Sequence, residues 1–169
     1  MLSAPVRVGA VPAEPVTLDQ VKTFLRIDGD DLDGELQLIM VAAREDLENQ
    51  SGLRLMNQVV RVISETPADL DHLTVGPVRD IVAIGALPGA TDAFELTGAD
   101  LARGIRPIGN WPLSLKRGPL AVDLTVGYGA EPSDVPATLR LAVLLLVRQR
   151  YDDRPADLDR LLVNYRLNA

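Results

Sequence analysis

The 169-residue chain has no cysteine and a single histidine, His72. Without thiols it can form neither disulfides nor thiolate metal sites. With one imidazole it cannot build a histidine-cluster metal centre or use paired histidines in catalysis. Long apolar runs are also missing. The longest, Leu141 to Val147, is seven residues, far short of the roughly 20 needed to span a bilayer. Residues 1–15 contain Arg7 but no apolar stretch after it, so they do not read as a secretory signal, and a soluble cytoplasmic product is the expectation. There is no phosphate-binding glycine loop, no Gly-x-Ser-x-Gly elbow and no HExxH. Gly127-Tyr128-Gly129 begins like a dinucleotide fingerprint, but Pro132 stands where the third glycine belongs. Basic charge is in deficit, with a net charge of −7. That argues against general DNA binding, which needs a surplus of Lys and Arg to neutralise phosphates.

What is present suits one structural domain with its own core. A chain of this length buries roughly 70% of the surface it exposes when unfolded. The charge is unevenly placed. Residues 1–56 carry 10 acidic and 5 basic side chains, whereas residues 131–169 carry 6 of each, every basic one an arginine. An acidic amino end and a neutral, arginine-bearing carboxy end suit polar association between unlike surfaces.

Local chemistry marks the helices. Thr17 and Gln20 have capping-box spacing, and Val16 and Val21 that of a hydrophobic staple, which predicts a helix over Leu18–Ile27. Asp28 to Glu35 is rich in carboxylates and invites a calcium reading. Counted from Asp28, the EF-hand pattern fails at Leu32, Asp33 and Ile39, and acidic side chains at a helix start are expected from the dipole alone. A second helix runs over Leu32–Gln50 with Leu36, Ile39, Ala43 and Leu47 on one face, and Gly52 suits its left-handed cap. Near the carboxy end, Asp134 is placed as N-cap of a helix carrying the apolar run Leu141–Val147. Seven consecutive apolar residues encircle a helix of 3.6 residues per turn. This helix should therefore be covered on every side, by its own core or partly by another molecule. After Pro155, Leu158, Leu161, Leu162 and Tyr165 predict a short amphipathic helix over Ala156–Leu167.

Between the helices the texture turns to β. Gln58–Glu65 and Val78–Leu87 are rich in Val and Ile, Leu70–Val75 and Phe94–Thr97 are shorter candidates, and Leu120 to Val126 alternates apolar with polar. Gly76-Pro77, Pro88-Gly89, Gly98 and Gly118-Pro119 read as turns. Trp111 reads as a core plug and Lys116-Arg117 as a solvated turn. The expected fold class is α+β: a small helical bundle with an inserted antiparallel β subdomain. The parts are residues 1–56 (amino-terminal arm and bundle helices), 57–127 (the β insert) and 128–169 (the long apolar helix and the terminal helix).

Two separated stretches resemble one family. Gly127, Tyr128, Gly129, Val135, Pro136, Leu139, Arg140, Ala142, Tyr151, Asp152 and Arg154 match in order and spacing. So do Glu14 to Leu18, Leu25 to Ile27, Asp31, Ala42-Ala43-Arg44 and Gly52, and a Trp111-Pro112 pair falls in a familiar place. The chain thus resembles the head–tail connector (adaptor) proteins of tailed bacteriophages and gene transfer agents. The resemblance is weak from about Asn57 to Arg106.

That resemblance implies a structural protein, not an enzyme, with no cofactor and no metal. It implies a ring, usually dodecameric, beneath the portal in the neck of a phage-like particle made in the bacterial cytoplasm. Its partners would be the portal protein, neighbouring copies, a tail-side stopper or tail protein, and DNA passing through without sequence-specific binding; no membrane is involved. By position, the portal-binding residues would be Leu158, Leu161, Leu162, Tyr165 and Arg166. The outward side of the apolar helix, Leu141, Leu144, Leu145 and Arg148, would form the subunit interface. Two other classes stay open. One is an assembly chaperone that leaves the particle. The other is a small enzyme acting through Asp28, Asp31 or Glu35, which would need a concave site with convergent polar groups.

Overall fold

The computed structural model describes residues 1–9, 13–85, 87–88, 93–99, 101–111 and 119–167. Pro112 and the Lys116-Arg117 pair lie outside the described residues, as do Gly89 and Gly118 of two expected turns. The fold is α+β, and the chain divides into two compact units. One comprises Met1–Ala10, Asn57–Gly127 and Leu167–Ala169, the other Val11–Met56 and Tyr128–Arg166. The amino-terminal residues, expected as an arm of the helical part, therefore fall with the sheet.

The sheet unit holds a five-stranded antiparallel sheet in the order β1-β2-β7-β3-β4. Its strands are β1 (Val6–Val8), β2 (Gln58–Ser64), β3 (Val78–Ile84), β4 (Leu87–Pro88) and β7 (Leu120–Val126). A separate hairpin pairs β5 (Phe94–Ala99) with β6 (Ala102–Pro107). The alternation that predicted β7 is borne out: Leu120, Val122, Leu124 and Val126 are all buried. They face Val60 and Val62 of β2, Ile81 and Ile84 of β3, and Phe94 and Ile105 of the hairpin in one core. Trp111 packs at its edge, with its ring 5.3 Å from that of Phe94, as a core plug would.

Three β expectations need correction. Leu70–Val75 is no strand; the chain makes a 3₁₀ turn over Pro67–Asp71. The reason is local, since Thr66 and Asp69 form a capping box ahead of a proline at the first helical position. Val78–Leu87 is two strands, because Gly85 takes a φ of 61° and turns β3 into β4. β1 and β6 were missed. β1 is three exposed residues at the sheet edge. β6 carries Arg103, Gly104 and Arg106 in place of an apolar alternation.

On the outer face of β2 and β7, Arg61 pairs with Asp123 across the strands, Nε to Oδ1 at 2.7 Å and Nη2 to Oδ2 at 2.8 Å. The hydrogen bond from Arg61 holds the Asp123 carboxyl below its ordinary range, against a smaller opposing effect of burial. An acid depressed in the folded state stabilises above its unfolded pKa, and that stability is lost as pH falls through the folded value. Asp123→Asn should thus lower the melting temperature slightly at pH 7. The gap to wild type should shrink below about pH 4 and close in stronger acid, as followed by circular dichroism melts.

The helical unit contains α1 (Leu18–Leu25), α2 (Asp33–Ser51), α3 (Ala137–Asp152) and α4 (Asp159–Leu162). The Thr17 capping box is present: the Thr17 N–H donates to Gln20 Oε1 at 3.1 Å, and the Gln20 N–H to Thr17 Oγ1 at 3.2 Å. Val16 and Val21 are both buried, as a staple requires. α1 ends two residues earlier than predicted because Arg26 adopts left-handed φ and ψ of 59° and 44°. Gly52, with φ 76°, caps α2 as predicted. Asp134 does not cap α3. It accepts from the Glu131 N–H at 3.0 Å in a 3₁₀ turn, Pro132–Asp134, and Pro136 occupies the cap position. The terminal helix is a single turn, not the predicted Ala156–Leu167.

Candidate functional site

α2 and α3 pack against each other, and their buried stripes identify the facing sides. On α3 these are Leu139, Ala142, Val143, Leu146 and Val147; on α2 they include Leu36, Met40, Ala43 and Leu47. Two residues along a helix turn the side chain by about 200°. Leu141 therefore lies opposite Leu139, and it is 41% exposed. Leu144, Leu145 and Arg148 share that side and are half-buried. Within this chain the apolar helix is covered on one side and partly open on the other, not enclosed all round.

Part of the open side forms one wall of a groove of about 500 Å³ between α1 and α3. Val16, Phe24, Leu141 and Leu144 supply its apolar surface and Arg140 lies on its α3 wall. Arg148 places its guanidinium carbon 5.4 Å from the centre of the Phe24 ring, a cation–π contact. The Nε atoms of Arg140 and Arg148 are buried without a hydrogen-bond partner. Among the described residues neither arginine has a carboxylate to pair with.

The carboxy-terminal candidates separate. Leu158 and Leu162 are buried, so their side chains serve the helical unit. Leu161 and Tyr165 are half-buried and Arg166 is exposed. Arg166 Nη2 donates to Asp159 Oδ1 at 2.6 Å, which ties Arg166 to α4. Beside them lies a polar recess of about 650 Å³, lined by Asp46, Arg150, Asp153, Asp157 and Asp159 among others. Arg150 pairs with Asp46 across it.

Beneath these surfaces is a buried polar network. Arg44, 2% exposed, donates from Nε to Glu14 at 2.9 Å and from Nη1 to Glu48 at 3.1 Å. Glu48, 5% exposed, accepts from the Leu55 N–H at 2.9 Å. Burial opposes the charge on Arg44, yet the hydrogen bond to Glu14 and the nearby carboxylates outweigh it and raise its pKa. Burial pushes Glu48 up, only partly offset by the Leu55 hydrogen bond and the charges of Arg44 and Arg54. Sequence reasoning used Arg44 only as part of a match and missed Glu48. Their i, i+4 spacing on α2 was the available signal.

The acidic loop ahead of α2 is neutralised only in part, by one lysine. Lys22 Nζ donates to Asp30 at 2.7 Å and to Asp33 at 2.9 Å, and these two hydrogen bonds raise the lysine's pKa. No group of three or more His, Asp or Glu positioned to hold a metal occurs among the described residues. Asp28, Asp31 and Glu35 are exposed and line neither the groove nor the recess. Asp71 accepts from Arg106 Nε at 3.2 Å and is thereby engaged away from its neighbour His72. No described helix is long and apolar enough to cross a membrane.

The chain is thus an α+β protein with a partly open apolar side on α3. Residues 15–79 match the model of the family described as Phage gp6-like head-tail connector protein, so the resemblance to head–tail connectors is borne out over that segment. No curated protein matches the chain at a significant level. The fold has solved counterparts. A chain in the neck of an empty gene transfer agent particle, computed with C6 symmetry, superposes with a TM-score of 0.81 at 23% identity, covering 100% of this chain and 96% of that one. A chain in the virion of the native gene transfer agent particle gives 0.81 at 23%, covering 99% and 97%. A chain in the neck of the native particle, computed with C12 symmetry, gives 0.74 at 23%, covering 100% and 96%.

Proposed function

We propose that this chain is a structural head–tail connector in the neck of a phage-like particle, making and breaking no covalent bond. The observation that carries the reading is twofold: a connector-family match over residues 15–79, and a fold shared end to end with chains of gene transfer agent necks. The helical unit, read as a small bundle, would be the assembling part. Copies would form a ring beneath the portal, joining head to tail. Closed rings use heterologous interfaces, in which one patch meets a different patch on the next copy. Leu141, Leu144, Leu145 and Arg148 are the candidates for one such patch.

The portal would be met by the carboxy-terminal segment. Leu158 and Leu162 anchor it in the helical unit, leaving Leu161, Tyr165 and Arg166 to reach outward. Exposed carboxylates such as Asp28 and Asp31 suit a DNA conduit, because a negative wall repels phosphates and does not trap them.

Electron microscopy and mass spectrometry of purified particles test this. Wild-type chain should occupy the neck. Leu161→Asp with Tyr165→Asp should leave the protein folded, with a somewhat lower melting temperature because both positions are half-buried, and reduce tailed particles at least tenfold. Tailed particles free of the wild-type chain would favour an assembly chaperone instead. Normal particles from the double variant would remove the portal-docking role.

A further inference from the structure

Resting on the connector reading, we propose that the α1–α3 groove of one copy receives the outer ridge of α2 from the next copy. Leu38 would be the inserted side chain, and Glu35 and Glu45 would meet Arg140 and Arg148.

The argument begins on α2. Leu38 lies about 200° around the helix from the core residue Leu36, and it is 71% exposed. Glu45 follows it by seven residues, within about 20° of the same direction, and Glu35 precedes it by three, about 60° away. Both glutamates are exposed. The result is an acidic ridge with one large apolar knob between its two carboxylates. Glu35 has no ion pair among the described residues, and Glu45 only reaches Arg44, at 3.6 Å.

The groove is the complement of that ridge. Its floor is largely apolar, through Phe24, Leu141 and Leu144, with Gln20 and Thr23 also on the α1 side. Arg140 lines it, and Arg148 stacks on the Phe24 ring beside it; the Nε atoms of both are buried and unsatisfied, against one lining carboxylate, Asp19 on α1. Buried donors without acceptors carry a desolvation cost that an incoming carboxylate removes. The spacings also agree. At 1.5 Å per residue, the two glutamates stand about 15 Å apart along α2 and the two arginines about 12 Å apart along α3, a difference that long side chains absorb. Leu38 would leave water for a site already lined with hydrocarbon.

Direction decides that the occupant is a second copy. α2 and α3 face each other through their buried stripes, so the Leu38 ridge and the Leu141 side of α3 point away from each other. Patches of opposite character on opposite sides of one unit cannot meet within the chain. They meet between copies, head to tail, as a ring requires.

The test exchanges the charges. One variant carries Arg140→Glu and Arg148→Glu; the other carries Glu35→Lys and Glu45→Lys. Glu45 can be reversed because Arg44 keeps its two closer partners, Glu14 and Glu48. Each variant is supplied alone, or both together, as the only source of this chain during particle assembly. Alone, each places like charges across every contact, and incorporation into particles should fall at least tenfold. Together, each variant's groove faces the other's ridge with opposite charge, and incorporation should return to within about twofold of wild type. Full incorporation of either variant alone overturns the proposal, as does failure of folded variants to rescue each other.

A second measurement covers the case in which a variant misfolds. The natural chain has no cysteine, so Leu38→Cys with Leu141→Cys introduces the only thiols. Mild oxidation of particles should give a ladder of linked copies from the double variant and none from Leu38→Cys alone. Particles that contain the chain yet give no ladder, or that link Leu141→Cys to the portal, overturn the ridge-and-groove pairing and leave the connector reading standing. Absence of the wild-type chain from particles removes the connector reading itself.

Discussion

Glu48→Ala should destabilise the helical unit by about 1–3 kcal/mol, the cost of leaving a buried hydrogen-bond donor without its acceptor. The substitution takes one of the two close carboxylates from the Arg44 guanidinium, leaving Glu14 at 2.9 Å, and removes the acceptor of the Leu55 N–H, which lies 2.9 Å from Glu48 Oε1. One side-chain tie between α2 and the Leu53–Met56 segment goes with it, while Ser51 Oγ still accepts from the Leu53 N–H at 3.2 Å. Glu48→Gln keeps an amide oxygen for Leu55 and should cost less than half as much. The pH dependence separates the two effects. Burial raises the pKa of Glu48 above its ordinary 4.5, so its ionised form is the one the fold disfavours. An acid raised in the folded state contributes stability that is present below its unfolded pKa and lost as pH rises through the folded value. The gap between wild type and Glu48→Gln should therefore narrow as pH rises above about 5. Urea titrations at several pH values check this. A Glu48→Ala variant as stable as wild type would show that the network adds nothing to the fold.

Gly104→Ala should cost about 3 kcal/mol, the upper range for forcing atoms into a filled site, and should act on the sheet unit alone. A Cβ on Gly104 would sit 2.2 Å from the Asp71 carbonyl oxygen and 2.7 Å from its carbon. These are backbone atoms that cannot rotate aside. The 3₁₀ segment would have to lift from β6, straining the Leu73 N–H to Arg103 O bond of 2.9 Å. Gly34→Ala, whose added methyl meets nothing within 4 Å, should be neutral or stabilise by up to about 1 kcal/mol through helix propensity. Thermal melts of the two variants, read by hydrogen exchange in each unit, distinguish local strain from a general intolerance of glycine replacement.

The candidate interface was partly legible because helix geometry is periodic. Leu141, Leu144, Leu145 and Arg148 could be assigned to one side of α3 from residue number alone, and they share that side in the structure. The carboxy-terminal candidates were harder. A stripe at i, i+3, i+4 and i+7 says that one face is apolar but not what covers it, and Leu158 and Leu162 are used up inside the chain. The predicted helix there shrank to one turn, since about 12 residues or fewer form a helix only where packing holds them. Glu48 escaped notice because a glutamate on a long helix reads as solvated. In the fold it is buried, with Arg44 and the Leu55 N–H against it.

The sequence by itself determined the features set by neighbours along the chain: the α1 cap and staple, the Gly52 stop, the length of α2, and the alternation of β7. It also excluded disulfides and thiolate metal sites within the given chain, because those need cysteines and there are none. Tertiary structure alone decided the pairing of β1 with β2, the β5–β6 hairpin, the burial of Arg44 and Glu48, and the open side of α3. Each of these rests on contacts between residues distant in sequence, whose meeting is fixed by the free energy of the whole fold and not by local preference.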